Sequence, residues 1–425
     1  MHPSPSAIPE PASLAASALL SLPFAWSVVT ALAAIAIAAL LRRLGVSGSA
    51  IVAGLLAGIL LGPGVVGRIA PEFGTAALAG TPTILESLRA IEREEAAFGL
   101  ARGAPMMSGA DTSALEEDLA ARRAAAEEAW SAERERHAHA RDLAVLVLAA
   151  CVLFGSASSS SVRRPFRPKQ TGEALLLAAW SILPVIALVA LTLHLFGVSP
   201  LGPSALALGG AVVAGSWGLS RCDRRIARGV ARDGAALVEQ AARAASAVAI
   251  ALTLVAIFTE QDMRLGHAAA IALACLPLGW CTLRSARPAV AALVERTALP
   301  ALVSIAMLSI EPYLDLGASG LWIALILYLL IEDGRWVGAS LAHWSAGRAG
   351  ALGSMRLAIA GMASEPTTVA LIGVGSATGI LPAWLAAPAL LAATGSAILA
   401  KPRAAAAERL ASLESEIAAA RSSEG

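Results

Sequence analysis

The chain is 425 residues long with a formal net charge of +1; 57% of it is hydrophobic and 15% charged. A mean hydropathy of +0.70 exceeds what a water-facing surface tolerates, and the near-neutral balance excludes the basic footprint of a nucleic-acid partner. The charges gather in short clusters between apolar runs, as expected of a chain whose main solvent is lipid.

No Lys or Arg precedes Arg42, so the first apolar stretch reads as a retained helix and not as a cleaved signal. Runs long enough to cross the hydrocarbon core are expected near 22–41, 48–67, 143–160, 173–196 and 204–220. Further runs follow near 244–259, 268–283, 297–311, 319–341, 357–375 and 381–399, several at the short end of the spanning range. The expected fold is an all-α integral membrane protein with about eleven transmembrane helices. Residues 1–68 hold the first two, 69–142 a polar insertion, 143–400 the main bundle and 401–425 a tail.

Basic residues set the orientation. Arg42 and Arg43, Arg163 to Lys169, Arg221 to Arg232, Arg284 and Arg287, Arg348 and Arg356, then Lys401 and Arg403 fall in alternate connections. The opposite short loops contain Arg264 alone. The positive-inside rule then places the N-terminus outside and the C-terminus in the cytoplasm of a multi-pass protein of the inner (plasma) membrane.

The insertion lies on the outer side. Its Glu/Arg/Ala-rich stretches, Ile84 to Leu100 and Ala114 to Asp142, flank a turn with Gly103, Pro105 and Gly109, which predicts an extracytoplasmic helical hairpin. Ser113 and Glu116 stand at capping-box spacing, and the arm they start can run unbroken into the membrane helix near Leu143. The stripe Leu115, Leu119, Trp130 is thin. The hairpin is therefore either a solvated spacer, or residues 80–140 are covered by a neighbouring subunit of a homodimer or by another protein. His137 and His139 point to different faces, so no metal site is expected there. Cys151, Cys222, Cys275 and Cys281 lack metal or redox spacing and read as small buried hydrophobes. The basic stretch Arg221 to Arg243 suits anionic headgroups of the bilayer, and the tail after Pro402 reads as a short helix without chemistry of its own.

Polar groups inside apolar runs are costly, so each is a functional candidate. Glu365 precedes Pro366 with Thr367 and Thr368 alongside, and proline frees a backbone carbonyl. Gly209, Gly210, Gly215 and Gly218, with Ser216 among them, allow either an interrupted helix or close helix packing. Glu332 and Asp333 either titrate protons or pair with nearby Arg335, and Glu311 with Asp315 forms an acidic outer mouth. No nucleophile–base pair, metal motif or phosphate loop occurs, so neither an enzyme nor a cofactor is expected.

At these residues the chain resembles the monovalent cation:proton antiporter superfamily, in particular its sodium/hydrogen exchanger-like bacterial branch. LRRLGVSGSAIVAGLLAGILLGPGVVGRIAPE (41–72) is similar to the family's glycine-rich second helix with its Leu-Gly-Pro turn. LAVLVLAACVLFGSA (143–157), ALPALVSIAMLSIEPYLDLG (298–317) and RLAIAGMASEPTTVALIGVGSATGILPAW (356–384) resemble later family segments in the same order. The resemblance implies an antiporter-like bundle interrupted at Gly215, Gly218 and Pro366, exchanging Na+ or K+ for protons by alternating access. Glu365, Ser216, Thr367, Thr368, Glu332 and Asp333 are then the ion- and proton-coupling candidates. The chain departs from the family where Arg243 to Ser246 lacks acids, where Gly215, Ser216 and Trp217 replace a Thr-Asp type pair, and where Ile331 replaces a lysine. Two family helices also have no counterpart between about residues 284 and 297. These departures keep open a second expectation: a non-transporting scaffold or sensor that retains the fold and acts through its outer hairpin.

Overall fold

In a computed structural model of the chain, every element among the described residues is an α-helix. The structure describes residues 22–62, 65–70, 91, 109–159, 168–216, 234–259, 263–282, 287–310, 318–345 and 365–399. It also describes 402, 403, 405, 406, 409, 410, 412, 413, 416 and 417 in the tail. The helices in chain order are α1 (Leu22–Arg43), α2 (Ser49–Leu61), α3 (Val66–Ile69), α4 (Gly109–Ser159), α5 (Pro168–Leu195), α6 (Pro203–Ser216) and α7 (Gly234–Thr259). They continue as α8 (Met263–Thr282), α9 (Arg287–Arg296), α10 (Ala298–Ile310), α11 (Ala318–Ser345), α12 (Glu365–Ala377) and α13 (Ala383–Ile398).

Each apolar run found in the sequence carries a helix. Among the described residues, six segments are long and apolar enough to cross a membrane: Pro23–Arg43, Ser49–Ile69, His139–Ala157, Ala178–Leu195, Ala242–Thr259 and Ala289–Leu308. Pro203–Gly215, Leu265–Trp280, Pro366–Ala377 and Ala383–Ile398 are apolar but shorter. Outward-facing side chains on the long helices are themselves apolar: Leu32 is 60% exposed, Leu183 63% and Trp322 61%. In water such a surface would aggregate; against lipid it costs nothing. These features are those of an all-α membrane protein.

Helix ends follow local chemistry. Gly45 and Gly197 adopt left-handed φ values of 79° and 77°, which only glycine enters without strain. At each, the following residue's N–H reaches back to the fifth carbonyl before it, Val46 to Leu41 at 3.0 Å and Val198 to Leu193 at 2.9 Å. This closure satisfies the orphan carbonyls of α1 and α5.

The chain divides into two units, Met1–Val29 with Ile59–Asp142, and Thr30–Gly58 with Leu143–Gly425. Within the first, the Trp26 indole N–H donates to the Leu61 carbonyl at 3.0 Å and so caps the end of α2. Leu119 is buried there, whereas most described side chains around it, from Glu117 to Ala125, are exposed. The thin stripe is thus reduced to one described anchor, since Leu115, Trp130 and His137 have side chains outside the described set, as do residues 84–90 and 92–100 of the first hairpin arm. α4 nonetheless runs without a break for 51 residues from Gly109, as its composition predicts; Gly109 lies in the helix and not in the expected turn, and Ser113 stands inside the helix and does not start it.

Within the second unit, α6 is enclosed by α5, α7, α11 and α12. Small residues set the closest approaches. A Cβ placed on Gly54 would lie 2.7 Å from the Pro300 carbonyl oxygen, which explains how α2 meets α10, and Gly279 of α8 is similarly pressed on the Phe154 carbonyl of α4.

Two expectations need correction. Residues 287–296 form α9, separated from α10 only by Thr297, whose N–H still donates to Leu293 at 2.9 Å. The apolar segment there therefore begins at Ala289 and not near 297, with Glu295 and Arg296 inside it. Cys151 is exposed and Cys275 half-exposed, so these two are not buried; in an apolar setting a thiol facing outward incurs little cost. Cys222 and the side chain of Cys281 lie outside the described residues.

Candidate functional site

α6 has 14 residues and α12 has 13. At about 1.5 Å per residue they are about 21 and 20 Å long, against a hydrocarbon core of about 30 Å. Neither helix as described crosses alone, and the two pack on each other. The last turn of α6 meets the first turn of α12: a Cβ on Gly215 would lie 3.2 Å from Thr368 Oγ1 and 3.4 Å from Ile331 of α11.

The polar side chains here are hydroxyls. Thr367 is fully buried and its Oγ1 has no hydrogen-bond partner among the described residues. Thr368 is also buried. An unpartnered buried hydroxyl costs about 1–3 kcal/mol, so it is a group that calls for a ligand or a water. Pro366 is the second described residue of α12. Glu365 opens the helix, and its side chain lies outside the described set, as do that of Ser216 and the whole of Gly218 and Trp217.

The glycines of α6 divide by role. Gly210 is closed by α7: a Cβ there would lie 2.7 Å from the Ala249 carbonyl oxygen and 3.0 Å from Thr253 Oγ1. Gly209 is buried, yet a Cβ on it would meet nothing within 4 Å. On α7, Ser246 is fully buried with its Oγ unpartnered among the described residues, whereas Thr253 satisfies itself by donating to the Ala249 carbonyl at 2.9 Å. Ser246 was missed as a candidate in the sequence because only acids were sought in that stretch; a lone serine in an apolar span was the available signal.

Glu332 belongs to a different place. Ile331 faces Gly215, and the next residue points about 100° away around α11. There Glu332 pairs with Arg403 Nη2 at 2.5 Å, both side chains 12% exposed. Ser396 Oγ donates to Glu332 Oε1 at 3.3 Å, while Arg403 donates to Ser396 Oγ at 3.3 Å and to the Tyr328 hydroxyl at 3.2 Å. Pairing was expected with Arg335, whose side chain lies outside the described residues; the partner found is Arg403, 71 positions on. The tail therefore does carry chemistry at its first turn. Asp333 is exposed and joins neither group.

No group of three or more His, Cys, Asp or Glu that could hold a metal occurs among the described residues. No protein-family model, curated protein or solved structure matches the chain.

Proposed function

We propose that this is a monovalent cation/proton antiporter working by alternating access, with its ion site where α6 meets α12. The observation that carries the reading is the close approach of α6 to α12 at Gly215 and Thr368, beside the fully buried hydroxyl of Thr367, which has no partner among the described residues. Helix ends at membrane depth are used to present carbonyls to cations and amides to anions. The carbonyls of the last turn of α6, with Ser216, Thr367 and Thr368, supply hard neutral oxygens suited to Na+ or K+. Glu365, at the start of α12, is the titrating group; a negative side chain is favoured at a helix N-terminus, and it alternates between cation and proton. On this reading eleven helices cross the inner membrane, the N-terminus is outside, and the resemblance to sodium/hydrogen exchangers reflects common architecture.

The test is proton flux in inverted vesicles on addition of Na+, K+ or Li+, comparing the intact chain with Glu365→Gln. Cation-dependent flux that the substitution abolishes is expected; flux that is absent, or indifferent to the substitution, removes this mechanism.

A second reading, a scaffold or sensor acting through its insertion, draws on two other observations. α4 continues unbroken from residue 109 into the apolar segment His139–Ala157. On α7, the stretch Arg243 to Ser246 has no Asp or Glu, where the resemblance implies acidic residues. Deletion of residues 80–140 would abolish assembly with a partner on this reading and leave flux intact on the first.

A further inference from the structure

We infer that Glu332, Ser396 and Tyr328 form a binding site for a small monovalent cation of the guanidinium class, and that Arg403 of the same chain is its built-in occupant. Glu332 and Tyr328 stand one turn apart on α11, and Ser396 lies in the last turn of α13. Three oxygens of different chemistry, a carboxylate, an alcohol and a phenol, are thereby fixed by two helices that pack on each other. They converge on one guanidinium: Nη1 donates to Ser396, and Nη2 reaches both Tyr328 and Glu332.

The receptor and its occupant differ in how they are built. The oxygens sit within helices, whereas Arg403 lies five residues beyond the end of α13 at Ile398, its amide held by the Leu399 carbonyl at 3.1 Å. The site is thus assembled without Arg403, and the cation arrives on a following turn of chain. A carboxylate this buried needs a counter-charge, and a planar cation with several N–H donors matches a carboxylate flanked by two hydroxyls better than an ammonium point charge does. Ser396 satisfies both neighbours at once, donating its one proton to Glu332 while accepting from Arg403. Removal of the Arg403 side chain therefore leaves a preorganised receptor for a free ion of the same shape. This holds whether or not the chain transports ions at α6 and α12.

The experiment is chemical rescue of the full-length protein in detergent, followed by thermal melting. Arg403→Ala is expected to lower the melting temperature by roughly 5 °C. Guanidinium chloride at about 10 mM, far below the molar range in which it denatures, is expected to restore about half of that loss or more. Urea at the same concentration, equal in shape but neutral, restores nothing. Arg403→Ala combined with Glu332→Gln, and the unaltered chain, do not respond to guanidinium. Arg403→Gln carries the same titration where Arg403→Ala does not fold. No recovery with guanidinium in the single variant, or an equal rise in the Glu332→Gln double variant, overturns the proposal.

Discussion

Glu332 and Thr367 are both polar groups set among apolar helices, and their surroundings treat them in opposite ways. The carboxylate is answered on every side, by Arg403 and Ser396 with Tyr328 completing the ring. The hydroxyl is fully buried and has no partner among the described residues. The difference follows from magnitudes. Leaving a buried charge unpaired costs several kcal/mol, more than a marginally stable fold can carry, whereas an unpaired hydroxyl costs about 1–3 kcal/mol and can be kept for a ligand. Charge here marks a closed arrangement and the bare hydroxyl an open one, the reverse of a search that ranks ionisable residues first.

Four substitutions bear on that contrast. The largest effect is expected where the charge pair is broken: Arg403→Ala leaves Glu332 buried and uncompensated, at a cost of about 3–5 kcal/mol, while Glu332→Gln with Arg403→Gln recovers most of it. Thermal melting of the single and double variants separates the two. Next comes Gly210→Val, which drives a side chain against the Ala249 carbonyl, backbone that cannot swing away. A loss of about 1–3 kcal/mol is expected, read as lower yield and melting temperature. Gly215→Ala is milder. Its Cβ would press Thr368 Oγ1 and Ile331 by a few tenths of an ångström, and the better helix propensity of alanine, worth up to about 1 kcal/mol, offsets the strain. Stability near that of the parent with impaired ion flux is the expected outcome. Thr367→Val is expected to cost no stability, because no hydrogen bond to another described residue is lost, and to raise it by up to about 1 kcal/mol as the unpaired hydroxyl is removed.

The sequence carried the helices well because each is an apolar run bounded by Gly, Pro or basic residues, and such runs need no knowledge of their neighbours. α4 was legible even in its polar part, where Glu, Arg and Ala favour helix, but not its start, since Ser113 and Glu116 lie inside a helix that already includes Gly109. α9 was not, since Glu295 and Arg296 interrupt the apolar pattern and shifted the expected start of that span to 297, although Ala289–Leu308 as a whole is apolar enough to cross. The site was legible only in outline. Thr368 and Gly215 were both named, but their meeting joins residues more than 150 positions apart, and the partner of Glu332 was sought three residues away when it lies in the tail. Local spacing reveals pairs within a helix; pairs made by packing helices together are not written at any fixed interval.

The most direct measurement is cation-driven proton flux in proteoliposomes containing either the parent chain or Thr367→Val, with melting temperatures recorded in parallel. The expected result is Na+- or K+-dependent flux in the parent, a loss of about tenfold or more in the variant, and melting at or slightly above that of the parent. Equal flux in both, or none in the parent, would contradict the placing of the ion site between α6 and α12.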